Sequence, residues 1–125
     1  MRVTNLGTAL PVERFWTWLH EHHNCIVSAG TPDVWIYDAD DLHWHLTEDP
    51  GGKLGVEVCR GKQVVAEMSI VKAEVLYVDV GPSLDTQGHF EFQLMGGPEG
   101  DQYALYHFVT AHGYEDEDAH KTATH

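Results

Sequence analysis

Turn residues break the chain repeatedly between Cys25 and Thr110, and this punctuation constrains the fold more than any other feature. Gly30-Thr31-Pro32-Asp33, Asp49-Pro50-Gly51-Gly52, Arg60-Gly61-Lys62, Gly81-Pro82-Ser83 and Gly96-Gly97-Pro98-Glu99-Gly100 separate short stretches rich in β-branched and aromatic residues. Those stretches, read as strands, are Cys25–Ala29, Val34–Asp38, Leu42–Thr47, Leu54–Cys59, Val64–Ile70, Ala73–Val80, His89–Met95 and Tyr103–Thr110. Connections this short join antiparallel neighbours, because a parallel pair needs a crossover of about a dozen residues or more. Phe90, Phe92 and Leu94 alternate with His89, Glu91 and Gln93, and Leu42, Trp44 and Leu46 alternate with His43, His45 and Thr47. Such strands have one apolar and one polar face.

One stretch has helical periodicity instead. Val12, Phe15, Trp16 and Leu19 fall at i, i+3, i+4 and i+7, which predicts an amphipathic helix over Ala9–His23. Thr8 is its expected cap, Pro11 suits its first turn, and Asn24 its stop. The fold class that follows is α+β: one N-terminal amphipathic helix packed on a twisted antiparallel β-meander of about six to eight strands. A chain of 125 residues is long enough for one hydrophobic core, so residues 1–112 are read as a single domain. Residues 113–125, with the block Glu115-Asp116-Glu117-Asp118, read as an acidic, polar and disordered tail.

Charge narrows the choice of partners. Lys plus Arg total 7 against 20 Asp plus Glu, a formal charge of −13. That balance leaves no basic footprint for nucleic acid and is repelled by an anionic membrane surface. No apolar run approaches the ~20 residues that span a bilayer, and Met1-Arg2-Val3-Thr4-Asn5 has no apolar signal core. A soluble, cytoplasmic protein is expected, and a homo-oligomer is compatible with the composition. Cys25 and Cys59 form no Cys-x-x-Cys pair, so they are expected as small buried hydrophobes on strands. Nucleophile elbows, phosphate-binding glycine loops and His-Glu-x-x-His are missing from the sequence, so no residue nominates itself as catalytic.

Histidine is the unusual component, at ten residues. His20, His22 and His23 fall in the last turn of the expected helix, where protonated imidazole suits the negative end of the dipole. His43-Trp44-His45 sets two imidazoles side by side on one face of a strand, a pair able to chelate zinc or another divalent transition metal. With Glu48 the pattern resembles the first metal motif of cupins over six residues. It has one residue fewer between His45 and Glu48 than that motif, and no histidine stands soon after Pro98-Glu99-Gly100, so the chain is not assigned to that family. The aspartates of Asp38-Ala39-Asp40-Asp41 fail the calcium-loop pattern and read as a solvated hairpin turn.

Two functions remain in contention. The first is a non-enzymatic binding or inhibitor-type protein that recognises a basic protein partner, steered by the negative field. In size and charge alone the chain resembles small acidic inhibitors such as immunity proteins and DNA mimics. The second is a metal- or small-ligand-binding sheet with His43, His45 and Glu48 as ligands, and Trp35, Tyr37, Tyr77 and Tyr106 lining a concave pocket. Protonating all ten histidines would bring the formal charge from −13 to −3, so the field of the first reading weakens in acid.

Overall fold

The computed structural model describes residues 8–85 and 87–114. In chain order these form β1 (Thr8–Leu10), α1 (Val12–Glu21), a 3₁₀ turn (His23–Cys25), β2 (Ile26–Gly30), β3 (Trp35–Tyr37), β4 (His43–Glu48), β5 (Lys53–Arg60), β6 (Gln63–Val71), a second 3₁₀ turn (Lys72–Glu74), β7 (Tyr77–Pro82), β8 (Phe90–Gly96) and β9 (Tyr103–Thr110). All strand pairs are antiparallel, as the short connections require. The expected α+β class holds. The strands divide, however, between a six-stranded sheet of order β1-β7-β8-β9-β2-β3 and a three-stranded sheet of order β4-β5-β6. Meander order therefore survives only within β4–β5–β6 and within β7–β8–β9.

The switch between sheets explains one misread segment. Ala73–Val80 was expected as a continuous strand, yet Lys72–Glu74 is a 3₁₀ turn and β7 begins only at Tyr77. β6 belongs to the three-stranded sheet and β7 to the larger one, so the chain must bend between them. The β5–β6 hairpin closes more tightly. Gly61 takes φ +61° at the first loop position, a conformation such two-residue turns need and glycine supplies without strain.

The helix is shorter than Ala9–His23. Residues 8–10 pair with Val80, Asp79 and Val78 of β7 instead of starting a helix, so Thr8 is not its cap. Pro11, at φ −64° and ψ 148°, is still extended and takes the cap position with no side-chain hydrogen bond. Its carbonyl accepts from the Arg14 and Phe15 amides at 3.1 and 3.2 Å, which opens the helix. At the other end the His22 amide donates to the Leu19 carbonyl at 2.9 Å, and the chain passes into the 3₁₀ turn. His22 and His23 thus lie beyond the helix.

Val12, Phe15, Trp16, Trp18 and Leu19 are all buried on α1. At ~100° per residue they cover an arc of about 160°, wider than a single stripe, because Trp18 joins the four positions the periodicity picked out. Phe15 packs on Phe92 at 4.9 Å with the rings tilted by 37° and meets Phe108 edge-on at 5.3 Å. Leu54, Val56, Val58, Met68 and Ile70 of the smaller sheet and Trp44 of β4 belong to the same core. Helix and both sheets therefore share one hydrophobic interior. Gly113 and Tyr114, read from the sequence as the start of the tail, lie against Phe90 and Trp18 respectively. The rest of that tail, residues 115–125, falls outside the described residues. Among the described residues no helix is long and apolar enough to cross a membrane.

Phe15 is fully buried against two aromatic partners, so Phe15→Ala should cost about 3–5 kcal/mol in urea denaturation. Thr17→Ala, on the exposed face of the same helix, should stay within about 0.5 kcal/mol of the parent.

Candidate functional site

Two regions concentrate polar chemistry. The first lies where α1 ends against the outer edge of β4. A cleft of about 420 Å³ there is lined by His20, His23, Asn24, His43, Trp44, His45 and Leu46. The sequence offered these histidines as two separate groups, and the fold brings them to one place. His23 Nδ1 donates to the His20 carbonyl at 3.0 Å, and the His20 ring stands edge-on to Trp16 at 5.7 Å. His22 turns away, stacking on Trp18 at 4.3 Å with Nδ1 donating to the Trp18 carbonyl at 2.8 Å.

Glu48, expected with His43 and His45 as a third ligand, is not beside them. Alternation along β4 puts Glu48 on the face of Trp44 and Leu46, where Lys72 Nζ lies 3.9 Å away and also 3.8 Å from Glu13. No group of three His, Cys, Asp or Glu among the described residues stands ready to hold a metal. The aspartates before β4 act within the fold. Asp38 accepts from Trp44 Nε1 at 2.9 Å, and Asp41 pairs with Arg60 at 2.7 Å. The Arg60 hydrogen bond and charge hold the Asp41 carboxyl below its ordinary range, and His43 adds a smaller pull.

The second region is the face of the six-stranded sheet turned away from α1. Cross-strand register lines up Trp35, Gly30, His107, Gln93, Asp79 and Ala9 as one row across all six strands. Gly30 has no side chain to separate its neighbours, and the Trp35 ring reaches across to meet His107 at 5.1 Å with the ring planes tilted by 36°. His107 Nδ1 lies 3.2 Å from Glu91 Oε2, in the next row. Tyr37 shares this face at the sheet edge and is 67% exposed. The expected aromatic pocket does not assemble here. Tyr106 lies on the core side, its hydroxyl accepting from the Val71 amide, while Tyr77 bonds Gln102.

A third contact had no sequence signal, because its partners are 87 positions apart. Cys25 was expected on a strand but sits half-buried in the first 3₁₀ turn, its Sγ 2.9 Å from His112 Nδ1. Burial pushes the Cys25 thiol up, the opposite of what an activated thiolate requires. Cys59 is buried, as expected.

Cations are unevenly placed between the sheets, whereas carboxylates lie on both. Among the described residues, the strands of the six-stranded sheet and its β2–β3, β7–β8 and β8–β9 loops contain no Lys or Arg, while Asp33, Asp79, Asp85, Glu91, Glu99 and Asp101 all lie on them. Lys53, Arg60, Lys62 and Lys72 cluster on the smaller sheet and its turns, and Arg14 is on α1. Comparison with known protein families, curated proteins and solved structures finds no match.

A Cβ on Gly30 would fall 2.2 Å from the Val34 carbonyl oxygen and 2.8 Å from Trp35 Cα. Gly30→Ala should therefore destabilise the protein by about 1–3 kcal/mol and shift the Trp35 indole and His107 signals in NMR spectra. Asp41 contributes stability that is complete above its unfolded value of 3.8 and lost as pH falls through its lowered folded value. Arg60→Gln should move the carboxyl titration of Asp41 upward toward the ordinary range when followed by NMR.

Proposed function

We propose that the chain is a non-enzymatic recognition module that holds a basic protein partner on the open face of its six-stranded sheet. The observation that carries this reading is the lack of Lys and Arg, among the described residues, from the strands of that sheet and its hairpin loops. A formal charge of −13 on so small a domain would draw in a basic protein by diffusion, and the cation-free sheet gives the field a direction. Trp35 and Tyr37 add aromatic faces at the sheet edge, suited to stacking with arginine or lysine. Glu91 and Asp79 supply carboxylates between the strands of the same face. An inhibitor works by such occupancy alone and needs no catalytic residue.

The test starts from the basic protein that co-purifies with the tagged full chain from its native cells. Its association rate should fall about tenfold or more between low and high salt. Trp35→Ala combined with Tyr37→Ala should weaken binding more than about tenfold, mainly through faster dissociation. Lys62→Gln, on the other sheet, should change little. An association rate indifferent to salt, or an affinity unaltered by the aromatic pair, would overturn the proposal.

A further inference from the structure

The histidine cleft supports an inference independent of the recognition face. We propose that His20, His23, His43 and His45 together bind one divalent transition-metal ion of the zinc class, in the cleft between the end of α1 and the edge of β4. The lining has four imidazoles and no carboxylate. Imidazole nitrogen suits Zn²⁺, Cu²⁺ or Ni²⁺, whereas Ca²⁺ and Mg²⁺ demand oxygen.

The hydrogen bonding already orients one ligand. A carbonyl can only accept, so the proton between His23 and His20 sits on His23 Nδ1 and the Nε2 lone pair of the neutral ring is left for a metal. Metal-ligating histidines commonly have this backbone tether on the far nitrogen.

Electrostatics choose a cation over an anion. The negative end of the α1 dipole is at this cleft, and the chain as a whole concentrates cations around it. Since no three ligands yet stand at binding distance, the site must close on the ion. His20, His43 and His45 are exposed, and exposed side chains change rotamer within nanoseconds. The cleft has room for that movement.

Isothermal titration of the full chain with Zn²⁺ alone, read alongside the imidazole proton signals in NMR spectra, tests the site. One ion should bind per chain and shift the signals of all four histidines. His20→Gln with His23→Gln, and separately His43→Gln with His45→Gln, should each weaken binding more than about tenfold. His107→Gln, on the open sheet face, should leave it unchanged. Melting curves without metal establish that each variant folds, and the exposed single variants His20→Gln and His45→Gln replace any pair that does not. Three outcomes would overturn the proposal. These are no Zn²⁺ binding, binding that survives removal of either pair, and binding that depends on Cys25 in a Cys25→Ser variant while ignoring both pairs.

Discussion

Phe15, closed between Phe92 and Phe108, is the contact on which the rest of the molecule depends. It fixes α1 to the middle of the larger sheet, on neighbouring strands β8 and β9. Aromatic pairs of this kind add about 0.5–1.5 kcal/mol each beyond the area they bury. With Phe15 seated, Trp16 and Trp18 flank it on the helix surface and both need cover. Trp18 finds it in Phe92 and Tyr114. Leu54, Val56, Val58, Met68 and Ile70 of the smaller sheet complete the same core. The closure is not perfect, since the buried Trp16 Nε1 has no hydrogen-bond partner among the described residues.

Because the helix and the smaller sheet share the core with one face of the larger sheet, its other face carries the polar residues of these strands together with Val109, Trp35 and Tyr37. There the ladder sets His107, Gln93 and Asp79 in line, and Gly30 lets Trp35 lie across toward His107. The basic residues among those described stand elsewhere, at the ends and turns of the β4–β5–β6 hairpins and on α1. Some of them are occupied locally, as in Arg60 with Asp41 and Lys72 between Glu13 and Glu48. Charge asymmetry is thus a property of the two-sheet arrangement as much as of composition.

The end of α1 concentrates a different chemistry. The helix stops at Glu21, the 3₁₀ turn carries His23 and Cys25, and β4 comes alongside with His43 and His45. From the far end of the chain His112 reaches Cys25, while Thr110 Oγ1 donates to the His112 carbonyl and steadies the segment. Imidazole tolerates this half-buried setting because backbone carbonyls, as at Trp18 and His20, accept its N–H.

Strand existence, helix identity and most of the core were legible in the sequence, because turn residues and hydrophobic period are local properties of the backbone. Phe92, Leu94 and Trp44 are buried where alternation placed them, and Val12, Phe15, Trp16 and Leu19 where the helical period did. Of the candidate site, the His43–His45 pairing was legible for the same reason, since residues i and i+2 share a strand face. What sequence could not supply was every relation between distant segments. Nothing local says that β6 and β7 belong to different sheets, that His20 and His23 meet His43 and His45, or that His112 reaches Cys25. Nor does periodicity within β4 reveal that Lys72 stands beside Glu48, away from the histidines. Those outcomes follow from burial in one core shared by α1 and both sheets, which joins segments far apart in the chain.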